Sequence, residues 1–244
     1  MSAKIPELWG VLNVTPDSFS DGGQFLDPTA AIARATTMLE EGADVIDVGA
    51  ESTRPGAERM DAETELTRLE PVVKELLANG VRVSVDTMRA EVAAKALAWG
   101  VPIINDVSGG LADPLIHQVV ADSDAHYVVM HWRGHSDQMD TLATYDDVVV
   151  DVCRELEARL EAATTAGIPD SRLMVDAGLG FAKTAEHNWE LIRVLESLVE
   201  LGYPVLVGAS RKRFLGELLP EGHEASERDG VSAVLGVIAA ERGA

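Results

Sequence analysis

Seven short apolar segments, each followed by a polar residue and then by a helix-like stretch, constrain the fold more than any other feature of this sequence. The segments are continuous apolar runs, which predicts parallel strands covered on both faces. They recur at roughly thirty residues, the spacing that βαβ units require. The predicted strands are 8–12, 44–49, 81–85, 101–104, 126–130, 172–175 and 203–207.

The pattern favours a closed barrel over an open doubly wound sheet. Polar residues end nearly every predicted strand instead of clustering at one crossover point, and 244 residues is close to the about 250 of a TIM (β/α)₈ barrel. No linker rich in Pro, Gly or Ser divides the chain. We therefore predict one domain, 1–244, of the α/β class with the TIM-barrel architecture. Only seven strands are found, so we expect the eighth to be absent from this chain.

Helix signals occupy the stretches between the predicted strands. Asp27-Pro28 is a capping residue followed by a first-turn proline, and Asp113-Pro114 repeats the signal. Apolar residues at helical spacing predict further helices over 61–79, 90–99, 145–167 and 225–242. Pro71 falls inside the pattern over 61–79, which predicts a kinked or split helix there.

Charge and composition exclude several classes of partner. The net charge of −21 and the pI near 4.5 argue against nucleic acid or an anionic membrane surface, which need clustered cations. The lone Cys153 lies in a helical pattern and is interpreted as a packing residue. The sequence shows neither a leader-like N-terminus nor an apolar run of about 18 residues, so a cytoplasmic protein without membrane contact is expected.

Six polar residues end apolar runs and would converge at the carboxyl edge of a barrel, where such enzymes hold their sites. They are Asn13, Asp47, Asp86, Asn105, His131 and Asp176. Loop capping could explain any one of them, but not all six together. With the ammonium of Lys212, two carboxylates and an amide suit a flat heterocycle that has an amidine-like edge and a carbonyl. The residues alone do not separate a pterin from a purine.

Two polar loops, SFSDGG and STRPGA, follow the first two predicted strands. Arg54 and Asn13 could together bind a phosphate or pyrophosphate, with Asn13 as an oxygen ligand to Mg²⁺; the alternative for Arg54 is a surface ion pair. Ser210 to Arg213 place cations at a helix start, where the dipole opposes them. That cost favours a ligand-binding role. The remaining histidines show no metal-ligand spacing.

The motifs then resemble one family along essentially the whole chain. The segments GVLNVTPDSFSDGG, DVGAESTRPGA, SVDT, INDVSGG, MH, VDAGLGFAKT and VGASRKRF stand in the order and roughly at the spacing of dihydropteroate synthases, the pterin-binding barrels of folate synthesis. The resemblance implies a transferase that condenses 4-aminobenzoate with 7,8-dihydropterin-CH₂ diphosphate. It further implies Mg²⁺ as cofactor and a homodimer.

Site roles are carried over from the resemblance residue by residue. The implied pterin contacts are Asp86, Asn105, Met130, Asp176, Phe181 and Lys212. The implied aminobenzoate contacts, where sulfonamide drugs would bind, are Phe19, Thr53, Arg54, Pro55, Phe181, Ser210 and Lys212. Asp86, Asp176, Lys212 and Arg54 would act in catalysis, and Asn13 would serve the Mg²⁺-pyrophosphate.

One departure from the family pattern keeps alternatives open. Family members continue past the positions of Gly243 and Ala244 into an eighth strand that bears Arg-x-His, and then into a final helix. The first alternative is therefore a truncated or inactive paralogue that binds pterin without turnover. A pterin-dependent methyltransferase is the second, but it gives no reason for the loops SFSDGG and STRPGA.

Overall fold

Seven parallel strands pair in chain order, each with the next along the sequence. The computed structural model describes residues 6–15, 27–51, 60–135, 138–139 and 141–244. The strands are β1 (Trp9–Asn13), β2 (Val45–Gly49), β3 (Val83–Asp86), β4 (Ile103–Asp106), β5 (His126–Met130), β6 (Leu173–Asp176) and β7 (Val205–Leu206). The predicted order, direction and barrel-type alternation are confirmed.

Helices connect the strands and cover the outer face of the sheet. They are α1 (Pro28–Glu40), α2 (Ala62–Ala78), α3 (Ala90–Trp99), α4 (Leu115–Ala121), α5 (Val148–Thr165), α6 (Ala185–Arg193), α7 (Glu196–Val199) and α8 (Asp229–Glu241). Short 3₁₀ helices occupy 170–172, 213–218 and 225–228. None of these helices combines the length and apolar character that crossing a bilayer requires.

Side-chain capping explains the starts of α1 and α2. The Asp27 side chain accepts from the Thr29 amide, and the Asp61 side chain accepts from the Thr64 amide, so both aspartates satisfy otherwise unpaired donors. Of the kink or split predicted at Pro71, the split is wrong, because α2 runs unbroken through that proline. Two further helices, α6 and α7, were not predicted; both are short, and Val194 and Leu195 separate them.

Side chains alternate between two apolar layers. The outward residues of the strands pack with the helices in the main core, which includes Val48, Val85 and Ile104. Inward residues Val45, Ile103 and Val128 form a second, smaller cluster inside the curved sheet. Because the period along a strand is two residues, the next inward positions after these residues are Asp47, Asn105 and Met130.

The two edge strands are less covered than the middle ones. Within the described residues, β1 and β7 each have one strand neighbour, and Val11 of β1 is 51% exposed. An eighth strand is not found among those residues, in agreement with the sequence-based expectation.

Candidate active site

Four of the predicted site residues lie side by side at the carboxyl edge of the sheet. Asp86 pairs in register with Asn105, and Met130 pairs in register with Asp176. All four stand two residues beyond inward positions, so their side chains share the inner face. The structure therefore places two carboxylates, one amide and a thioether at one mouth.

Glycines on neighbouring strands leave room for the two carboxylates. A Cβ at Gly49 would lie 3.3 Å from Asp86 Oδ2, and a Cβ at Gly208 would lie 3.3 Å from Asp176 Oδ2. The other Asp176 oxygen, Oδ1, accepts from the Gly178 amide at 2.7 Å. Oδ2 of Asp176 is thus the oxygen left to accept from a ligand.

Burial makes the charged forms of these acids costly. It raises the pKa of Asp176 and of Asp47, and it raises the pKa of Asp86 well above its ordinary value. The charges of Asp47 and Glu65 add to the effect on Asp86. A ligand that donates N–H groups to these carboxylates would therefore relieve an unfavourable concentration of negative charge.

Lys212 lies beside an apolar wall at the same mouth. Its Nζ is 4.1 Å from the centre of the Phe181 ring, and Phe181 packs in one cluster with Met130 and Met139. Burial lowers the pKa of Lys212, while Asp176 and Asp86 act in the opposite direction. The predicted pterin residues Met130, Phe181 and Lys212 are therefore neighbours of the two acids.

Asp47 lies one inward position below this edge, beneath Gly49. Its Oδ2 accepts from Asn105 Nδ2 at 3.0 Å, and its buried Oδ1 has no hydrogen-bond partner among the described residues. Asp47 was predicted as a strand-end residue, without a role of its own. Its position supports Asn105 from below.

His131 was expected to converge with the other strand-end residues, and that expectation is wrong. It follows Met130 and therefore turns to the outer face, where its Nε2 is 2.9 Å from Glu155 Oε2 of α5. Its Nδ1 is 2.8 Å from Lys183 Nζ. Lys183 was missed as well, since a lysine in the GFAK motif gives no sequence sign of burial.

The rim is only partly described. Asn13 and Ser210 are exposed, at the end of β1 and in the loop after β7. The predicted contacts Phe19, Thr53, Arg54 and Pro55 lie outside the described residues. Across the described ranges no group of three His, Cys, Asp or Glu side chains could hold a metal ion. Asn13 fits a Mg²⁺ ion only as a single oxygen ligand, with substrate and water oxygens completing the shell.

A parallel barrel-type sheet with an acidic, apolar-walled site at its carboxyl edge defines a (β/α)-barrel enzyme. A family model described as "Pterin binding enzyme" matches residues 9–244. The chain belongs to this pterin-binding family, and within it to the dihydropteroate synthases, the transferases of folate synthesis.

Three relatives illustrate the likeness. The dihydropteroate synthase of Mycobacterium leprae is 49% identical over all of this chain and 88% of its own length. A Xanthomonas albilineans dihydropteroate synthase solved with 4-aminobenzoic acid is 44% identical, with a TM-score of 0.90 over 98% of this chain and 85% of that one. The same organism's enzyme in complex with 7,8-dihydropteroate matches with 40% identity and a TM-score of 0.88, over 100% of this chain and 87% of that one.

Proposed function

We propose that this chain condenses 4-aminobenzoate with 7,8-dihydropterin-CH₂ diphosphate to give 7,8-dihydropteroate and pyrophosphate. The observation that carries the proposal is the shared carboxyl edge of the sheet, at which Asp86, Asn105 and Asp176 stand at the ends of β3, β4 and β6. Solved relatives bind 4-aminobenzoic acid and 7,8-dihydropteroate, which supports the same substrate classes here.

The pterin ring is proposed to lie between the acids and the apolar wall. Asp176 Oδ2 would accept from the amidine-like N–H edge, and Asn105 can both donate and accept at the neighbouring edge. Met130 and Phe181 lie in one apolar cluster and would contact the faces of the ring. Lys212 would donate to the ring carbonyl or a ring nitrogen.

The reaction is proposed to proceed by cleavage of the C–O bond to the diphosphate. Positive charge then develops on the pterin methylene and spreads into the ring. The fixed carboxylates of Asp86 and Asp176 would stabilise that charge without reorganising. The neutral aniline nitrogen then forms the C–N bond and gives up one proton to water or to the departing pyrophosphate, so a strong general base is not required.

Arg54 is proposed to bind the pyrophosphate leaving group, and Asn13 is proposed to bind it through Mg²⁺. Bound Mg²⁺ would neutralise charge on the diphosphate, and the amide oxygen of Asn13 would be its protein ligand. Phe19, Thr53, Pro55 and Ser210 remain the proposed aminobenzoate contacts, and sulfonamides are proposed to compete there. The cytoplasmic location and the single domain over 1–244 also stay predictions.

A homodimer through α8 is the proposed assembly. Val234 and Val237 of this helix are each 60% exposed, and Ile238 beside them is 37% exposed, which leaves an apolar strip on an otherwise acidic molecule. A second copy of the chain would cover it. Light scattering should give a dimer mass for the unmodified chain and a monomer mass for Val237→Asp; equal masses would contradict the assignment.

Pyrophosphate release tests the function directly. The full chain, supplied with Mg²⁺ and 7,8-dihydropterin-CH₂ diphosphate, should release pyrophosphate in proportion to the 4-aminobenzoate added. Asp124→Asn, which alters an exposed acid just before β5, serves as the matched control for Asp86→Asn and should retain full activity. Pterin binding without release would instead support the non-catalytic paralogue.

A further inference from the structure

The loop between β6 and α6, residues 177–184, is attached to its surroundings at several atoms and carries part of the site. Its Gly178 amide donates to Asp176 Oδ1, and its Phe181 ring lies beside Lys212. Gly180 donates its amide to Asn188 Oδ1 at 2.7 Å. The conformation of this loop therefore sets the positions of two groups that the proposed pterin site uses.

Lys183 makes three hydrogen bonds from within this loop. Its Nζ donates to the carbonyl oxygens of Gly178 and Phe181, both at 3.1 Å, and to Nδ1 of His131 at 2.8 Å. The two carbonyls belong to the same tight turn, whose Phe181 amide donates back to Gly178 O. One ammonium group thus closes the turn from below.

The outer end of this arrangement fixes the state of His131. When Lys183 is protonated its ammonium group only donates, so Nδ1 of His131 accepts and its Nε2–H donates to Glu155. Glu155 in turn accepts from Arg133 Nη2 at 2.6 Å. A neutral histidine therefore links the Lys183 ammonium to a carboxylate on α5.

Backbone geometry shows why the turn needs such support. Gly178 has φ +63°, and a Cβ there would lie 2.2 Å from the His131 carbonyl oxygen. Ala182 also adopts a positive φ of 46°, which disfavours residues with a Cβ. Tyr145 donates its hydroxyl to the Ala182 carbonyl at 2.9 Å, so the segment before α5 holds the Ala182 end of the loop.

A buried ammonium is a costly way to fill this space. Replacing buried polar groups by apolar side chains of similar volume is often neutral or stabilising in proteins. The three acceptors of Lys183 are instead arranged so that the cation specifies one conformation of the turn. Asp176, Glu155, Arg133 and Lys212 are the other charged groups that face it.

We propose that Lys183, supported by His131 and Glu155, is a positioning residue that fixes Phe181 and the Asp176 carboxylate for the pterin ring. The proposal rests on the proposed function for its ligand, but its effect on the loop is independent of turnover. It assigns to Lys183 no contact with substrate.

The first test measures the conformation of the loop in the absence of ligand. The chain has four phenylalanines, so protein labelled with 4-fluorophenylalanine gives few ¹⁹F resonances, and Phe181→Leu assigns the one from Phe181. In Lys183→Met the Phe181 resonance should shift or broaden. The resonance of Phe214, a buried residue that packs on Trp189 of α6, should stay in place. Lys95→Met, an exposed lysine on α3, is the matched control and should leave both unchanged.

A ligand titration then connects the loop to the site. The affinity for 6-hydroxymethylpterin should fall about tenfold in Lys183→Met, the loss expected when displacement of the Asp176 carboxylate breaks one charge-assisted hydrogen bond to the ring. It should be unchanged in Lys95→Met. An unchanged Phe181 resonance in folded Lys183→Met overturns the proposal, and so does an unchanged affinity. If Lys183→Met does not fold, Glu155→Gln decides by the same resonance. Failure of pyrophosphate release in the unmodified chain would refute the proposed reaction but leave the ¹⁹F result intact.

Discussion

Asp47 of β2 and Asn105 of β4 are 58 residues apart in sequence, and β3 lies between their strands, yet a buried hydrogen bond of 3.0 Å joins Oδ2 to Nδ2. The bond fixes which way the Asn105 amide points, because its nitrogen must face down towards Asp47. The amide oxygen is then available to a ligand at the mouth. Asp47 also lies close enough to Asp86 for its charge to raise the pKa of that acid.

Pterin binding should weaken as the pH falls. The pKa values of Asp86 and Asp176 are raised by burial, so a proton competes with the ligand N–H groups for the carboxylate oxygens. Affinity is therefore greatest above the raised pKa values and is lost below them. Calorimetric titrations in buffers of different ionisation enthalpy should also detect proton release on binding. A constant affinity between pH 8 and pH 5 would contradict this expectation.

Asp47→Asn should move that pH dependence to lower pH. The amide oxygen can still accept from Asn105, but the negative charge that raises the Asp86 pKa is removed. The midpoint of the affinity profile should fall, while affinity at high pH changes little. Asp124→Asn is the control, and its midpoint should equal that of the unmodified chain. An unchanged midpoint in Asp47→Asn would show that the charge of Asp47 does not affect the titration of Asp86.

Gly208→Ala should reduce pterin affinity with little loss of stability. Its Cβ would come 3.3 Å from Asp176 Oδ2, so the carboxylate has to move by a few tenths of an ångström. We expect about a threefold weaker affinity or more, since charge-assisted hydrogen bonds depend on short distances. Gly236→Ala in α8, whose Cβ would meet nothing within 4 Å, should leave affinity intact and raise the free energy of unfolding by about 0.5–1 kcal/mol. Equal affinities in Gly208→Ala and the unmodified chain would show that the Asp176 carboxylate can move aside without weakening its contact with the ligand.

Lys183 should make the stability of the fold depend on alkaline pH. Burial lowers its pKa from 10.5 to about 7, so between these values the unfolded chain binds more protons than the folded one. Stability contributed by this group therefore rises with pH through that window. Urea unfolding of the unmodified chain and of Lys183→Met at pH 7 and pH 10 should show a difference that shifts in favour of lysine at the higher pH. A pH-independent difference would mean that Lys183 titrates normally.

Strand order and the placement of the acids could be predicted from the sequence because both follow from local pattern. Continuous apolar runs that end in Asp86, Asn105 and Asp176 predict where three of the strands end. The carboxyl ends of parallel strands all lie at one edge of the sheet. The inward direction of these residues then follows from the period of two.

The role of other residues depends on tertiary neighbours and could not be predicted in the same way. His131 ends an apolar run like the others, but a shift of one residue turns it to the outer face. Lys183 is charged and lies in a glycine-rich segment, so its burial is set by Glu155 and His131, which come from elsewhere in the chain. Pro71 fails to split α2, since tertiary packing of that helix outweighs the local penalty.

Titration of the unmodified chain, Asp176→Ala and Asp124→Asn with 7,8-dihydropterin-CH₂ diphosphate tests the central claim most directly. If the strand-end carboxylates hold the pterin ring, Asp176→Ala will lose measurable binding, while Asp124→Asn and the unmodified chain bind alike. Equal affinity in Asp176→Ala and the unmodified chain would contradict the assignment of the site.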